Sequence, residues 1–187
     1  FAETPGKYWR ELADVRRFGD AALLIERYLE LHPEMAAAEA AGLHFHAGQC
    51  RAFQMSSLDG TKKEACLASA IKHLQRSAPR VPLSEEHGVL WRAYVMGTVG
   101  FLAGKRDALI LAHEELAKGD PINKANLCVL DRLLAGFGKP YAEAYEAEGQ
   151  DHTKLSADCF NRAWELIDKT ARTPEDDERM ISLAHAS

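Results

Sequence analysis

Apolar side chains recur every three or four positions along most of the 187 residues, the period of helices that turn one face to a core. Trp9, Leu12 and Val15 fall on one face of a helix predicted over Lys7–Phe18. Gly19 is expected to end it and Asp20 to cap the next. That second helix runs to about His32, with Leu23, Leu24, Tyr28 and Leu31 expected inward, and Pro33 follows. A third, alanine-rich in its first half, spans Glu34–Met55. Ser56–Gly60 reads as a loop, after which Thr61 and Glu64 have the spacing of a capping box. The helix so opened carries Leu67, Ala70, Ile71 and Leu74, and Pro79 and Pro82 bracket the connector beyond it.

Ser84 is placed to cap a long helix through Val89, Tyr94, Val99 and Leu102, closed by a turn at Gly104. Leu109, Leu111, Ala112 and Leu116 define the next helix, and Asn123–Phe137 another, stopped by Gly138 and Pro140. Short Tyr141–Glu148 precedes a loop at Gly149–His152, and helices over Thr153–Ala171 and Pro174–Ala184 complete the chain. Alternating runs of β-branched residues are nearly absent. The pattern predicts an all-α array of antiparallel helical hairpins, about nine helices in total. Residues 1–149 are expected to form the array and 150–187 a C-terminal helical pair packed on it.

Composition narrows the class. With 47% hydrophobic and 27% charged residues the chain has what a globular core requires. A net charge of −5 lacks the basic footprint of nucleic-acid binding, so no nucleic-acid partner is expected. Val89–Gly104 is the most apolar stretch, but it carries Arg92 and is shorter than the about 20 apolar residues a membrane span needs. No membrane insertion is expected. The opening FAETPGK is polar and turn-rich, which suits either a chain freed of a leader or one trimmed at its start, so the compartment stays open between cytoplasm and a secreted or periplasmic location. Cys50, Cys66, Cys128 and Cys159 form no tight cluster. They read as buried thiols, although their even number would permit two disulfides in an oxidising compartment.

Three hairpins, Lys7–Pro33, Ala41–Pro79 and Val89–Pro121, follow one another. In the third, Gly97, Gly104 and Pro121 stand at the spacings of the small, turn and terminal residues of a tetratricopeptide repeat, and the chain resembles a TPR-like helical repeat protein with degenerate repeats. Leu109 and Leu116 stand where that family usually has small residues. Ser56–Gly60 lengthens the second hairpin, and the first is short between Gly19 and Pro33. The resemblance implies a groove lined by first helices. Register from Gly97 brings Trp91, Tyr94 and Thr98 to that groove, and register from Gly48 brings His46 and Gln49. Trp91 and Tyr94 also suit a role as core aromatics. A protein or peptide partner is the implied ligand.

Candidate chemistry is sparse. The chain has no HExxH, GxSxG or glycine-rich phosphate loop, and its paired carboxylates suit solvated helix faces. His44 and His46 point to nearly opposite sides of a helix, so they cannot share one ion. His46 and Cys50, one turn apart, could join Cys66 and His73 on a neighbouring helix in a metal or small-molecule site, though Cys66 and His73 lie two turns apart and converge poorly. Lys62, Lys63, Arg76 and Arg80 are basic while Glu143–Asp151 and Glu175–Glu178 are acidic, an asymmetry that either steers a partner or solvates two faces. The expectation is a non-catalytic binding scaffold or adaptor without cofactor or metal, the alternative a small-molecule or metal-binding helical domain.

Overall fold

The computed structural model describes residues 8–79, 85–118 and 124–147, with side chains from 90 onward in the second stretch. All regular structure there is helical: α1 (Tyr8–Asp14), α2 (Phe18–Leu31), α3 (Ala37–Gln54), α4 (Gly60–Ser77), α5 (Glu85–Leu102), α6 (Arg106–Ala117), α7 (Lys124–Ala135) and α8 (Tyr141–Glu146). The helices expected over 153–171 and 174–184, the cap at Ser84 and the helix start at Asn123 lie outside the described residues. Each helix packs against the next in the chain, and α3 also meets α8. None of the described helices is long and apolar enough to cross a membrane.

Two cores result. The larger joins α3, α4, α5, α6, α7 and α8 through Phe45, Leu74, Val95, Leu109, Leu130 and Leu133. The smaller joins α1 and α2 to α3 through Trp9, Ala21, Ala22, Ile25, Ala47 and Cys50. Glycines let neighbouring elements come close at several places. A Cβ at Gly48 of α3 would lie 2.7 Å from Leu74 Cγ of α4, and one at Gly97 of α5 would lie 2.9 Å from Leu130 Cδ1 of α7. At Gly19 the neighbour would be Gln54 Nε2, 2.6 Å away.

That last contact corrects the expected end of the first helix. Gly19 lies inside α2, against the end of the Gln54 side chain of α3. The turn comes earlier, on Arg16, whose φ of 60° is left-handed. Arg17 N–H reaches the Leu12 carbonyl at 2.8 Å and Arg16 N–H the Ala13 carbonyl at 2.9 Å, the two bonds of a Schellman stop. The same pair of bonds closes α5 at Gly104, Lys105 N–H to Gly100 O and Gly104 N–H to Phe101 O, with φ of 66° at Gly104. There the expected turn residue is the one used.

Two further expectations change. Leu23 and Leu31 are 56% and 58% exposed, and Val15, Leu24 and Leu111 also face outward. Helix α2 instead seats Ala21, Ala22 and Ile25 on α3, because small side chains let the two backbones approach. The capping box does not form: Asp59 is the N-cap, no side chain bonds the free amides of α4, and Thr61 lies within the helix.

Candidate functional site

The residues expected to line a concave groove are largely covered. Tyr94 is 3% exposed and Thr98 1%, and the Thr98 hydroxyl donates to the Tyr94 carbonyl one turn back, at 3.1 Å. Trp91 is half-buried, its ring edge-on to Phe45 with centroids 4.8 Å apart, and its indole N–H donates to the Ser77 carbonyl at 2.9 Å. His46 packs against Trp9 of α1, the rings tilted with centroids 4.5 Å apart. Gln49 faces α8, on the side of Tyr141 and Tyr145. Phe53, one turn further along α3, meets both tyrosine rings edge-on at 5.2 and 5.1 Å. Helix α8 therefore lies on the face of α3 that a ligand was expected to use. Burial raises the Tyr94 and Tyr141 hydroxyls well above the ordinary phenol range, so both stay neutral.

The set His46, Cys50, Cys66 and His73 is not gathered at one point either. His46 turns to α1, and Cys50 lies in the smaller core. Cys66 donates its thiol to the Arg51 carbonyl at 3.2 Å, while His73 turns to His44. No group of three His, Cys, Asp or Glu side chains among the described residues could hold a metal ion. Cys50, Cys66 and Cys128 are free thiols; Cys159 lies outside the described residues. Burial pushes the Cys50 thiol up to about 11, despite the Arg51 charge beside it, and burial raises Cys66 as well.

An open groove lies on the other side of α3, between α2 and α4. It encloses about 1080 Å³, just above the usual range of small-ligand clefts. The antiparallel register of α3 and α4, set by Gly48 against Ala70 and Leu74, brings His44 opposite His73 and Arg51 opposite Cys66. A continuous polar chain follows along the groove. His44 Nδ1 and His73 Nδ1 are 2.8 Å apart, and His73 Nε2 stands 3.3 Å from Glu26 Oε1. Arg51 grips the same carboxylate as a fork, its Nε donating to Oε1 at 2.9 Å and its Nη2 to Oε2, the geometry in which guanidinium and carboxylate pair most strongly. One acid from α2 thus ties together side chains of α3 and α4.

Electrostatics follow from that arrangement. Burial alone would raise the Glu26 carboxyl, but the bonds from His73 and Arg51 outweigh it and hold Glu26 down at about 2. The bond to Glu26 raises Arg51 further above its usual range. His44 is pushed down to about 4, first by burial and then by the positive charge of His73 and Arg76, so it is neutral at pH 7. With His73 Nε2–H directed at Glu26, a neutral His44 completes the Nδ1 contact as donor or as acceptor. Polar groups along this wall are thus partnered, and the rim above them carries Lys62, Lys72 and Arg76.

Only part of this site shows in the sequence. Divergence of His44 from His46 is a matter of helical spacing, and the structure sends them to α4 and α1 respectively. Pairing His44 with His73 needed the α3–α4 register, for which Gly48 was the one signal. Glu26 gave none, because its contact crosses to a third helix. Compared with known proteins, the chain matches no family model, no curated protein and no solved structure.

Proposed function

We propose that the chain is a non-catalytic scaffold or adaptor of degenerate TPR-like hairpins that holds a protein or peptide partner, with the α2–α3–α4 groove as the binding site. The observation that carries this reading is the open 1080 Å³ groove whose wall is already satisfied by the Arg51–Glu26–His73–His44 chain. The polar groups of such a wall are already bonded to one another, which suits contact with a partner more than reaction. Burial raises the thiol of Cys66, the cysteine that lines the groove, and the thiolate is the nucleophile. Close-approach glycines at Gly48 and Gly97 support the TPR-like reading. The seating of α8 on α3 argues that the binding face is not the inner one usual for that family.

Selection of random displayed peptides on the full chain tests the proposal, with a groove-filling Ser69→Trp variant as the counter-target. Ser69 lines the groove and is only partly buried, so the added indole obstructs ligand without entering the core. Enriched peptides should bind the wild-type chain with dissociation constants of about micromolar or better and lose at least about tenfold on Ser69→Trp. No enrichment, or peptides that bind both proteins equally, would reject the groove as the site.

A further inference from the structure

Helix α4 presents one face to the groove: Lys62, Cys66, Ser69, Lys72, His73 and Arg76 recur at helical spacing. Three of these six are cations with exposed heads, and none of Lys62, Lys72 and Arg76 has an ion-pair partner among the described residues. The acids that share the groove are already engaged. Glu26 is taken by Arg51 and His73, and Glu30 accepts from Arg27 at 3.0 Å. His32 is matched with Glu34 at 3.2 Å. Subtracting these pairs leaves the groove with a surplus of positive charge on a chain whose net charge is −5. The surplus reaches the groove wall, since the Arg76 charge is one of the influences that lower His44. Apolar surface lies beside the cations: Leu58 near the Lys62 end, Leu29 on the α2 wall, and Met35 near the Arg76 end.

From this charge complementarity we infer that the groove takes an acidic segment of a partner protein, its carboxylates ranged along Lys62, Lys72 and Arg76 and its apolar side chains resting on Leu29, Met35 and Leu58. The inference rests on the groove being a peptide site and specifies the class of peptide. At 1.5 Å per residue, Lys62 and Lys72 are about 15 Å apart along α4 and Arg76 about 6 Å further. An extended strand advances about 3.3 Å per residue, so acids about four or five residues apart and then about two further would meet all three. Carboxylates are favoured over a single phosphate because the cations form a row instead of converging on a point. Steering by such a row acts mainly on association and fades with salt.

Fluorescence anisotropy of a labelled acidic peptide, Glu at those spacings with Leu and Ala between, tests the inference on the full chain against the same peptide with Gln for Glu. The acidic form should bind at least about tenfold tighter at low salt and lose most of that advantage at about 0.5 M salt. Lys62→Glu with Lys72→Glu and Arg76→Glu should abolish its binding, and the milder triple change to Gln should weaken it; circular dichroism checks that both variants stay helical. Equal binding of the Gln peptide, unchanged binding to the charge-reversed chain, or tighter binding of a single-stranded oligonucleotide would overturn it. Displayed peptides that depend on the groove but carry no excess of Asp or Glu would overturn it and leave the scaffold reading intact. No groove-dependent peptide at all would reject both.

Discussion

Gly42 and Gly48 stand less than two turns apart in α3 and serve opposite purposes. At Gly48 a side chain would press on Leu74 Cγ at 2.7 Å and the Ala70 carbonyl at 3.1 Å, whereas at Gly42 nothing lies within 4 Å. Alanine at a helical glycine gains about 0.5–1 kcal/mol from the unfolded chain's lost freedom. Overpacking at a close approach costs about 1–3 kcal/mol. Gly42→Ala should therefore stabilise by up to about 1 kcal/mol and Gly48→Ala should destabilise by about 1–2 kcal/mol. Urea midpoints of the two variants check the sign; a shared sign would mean that Gly48 does not set the α3–α4 distance. Gly48 was legible in the sequence as a small residue. Which helix it admits was not, because that depends on register.

Helix ends were readable where glycine or proline marks them, as at Gly104 and before Pro33, and were missed where another residue makes the turn. Gly104 ends α5 as its sequence suggests, but α1 ends on Arg16, a residue type that gives no turn signal. An L-residue held left-handed costs about 1–2 kcal/mol relative to a right-handed one. Arg16→Gly should remove that strain and stabilise the protein by about 0.5–1 kcal/mol, after allowance for the greater freedom of glycine in the unfolded chain. It also removes the ion pair between Arg16 and Glu146, which is solvent-exposed on both sides and contributes little. A lowered urea midpoint would show that the ion pair matters more than the strain. The inward face of α2 was misread for a related reason. Periodicity favours large apolar residues, and here Ala21, Ala22 and Ile25 pack while Leu23 and Leu31 stay outside.

At the scale of the whole molecule, the helical class could be read from periodicity alone. The placement of α8 on α3 could not, since nothing local encodes a contact between segments so far apart in the chain. The groove's pH behaviour belongs to this scale too, because it depends on three helices staying together. His44 titrates at about 4 in the folded protein against 6.5 for an unperturbed histidine. Between those values the unfolded chain binds the extra proton, so stability should fall as pH drops from 6.5 to about 4. Glu26 titrates at about 2 against 4.5; its contribution is full above 4.5 and is lost as pH falls toward about 2. Melting curves across pH 7.5–2 should show the upper window flattened in His44→Gln and the lower one in Glu26→Gln. If His44→Gln follows the wild-type slope between pH 6.5 and 4, the histidine is not desolvated as the structure has it.

Stacked helical repeats ordinarily exchange stability only with their neighbours, so their ends fray and their transitions broaden. Tyr141 and Tyr145 of α8 packed against Gln49 and Phe53 of α3 close that open line into a loop of contacts. Melting α8 first would uncover the face of α3 it occupies, so the last described helix and the third should yield together. Native-state hydrogen exchange should accordingly give amides near the end of α8 and amides in the middle of α3 the same opening free energy and the same dependence on denaturant. Free opening of α8 well below that level would return the protein to the behaviour of an ordinary linear stack.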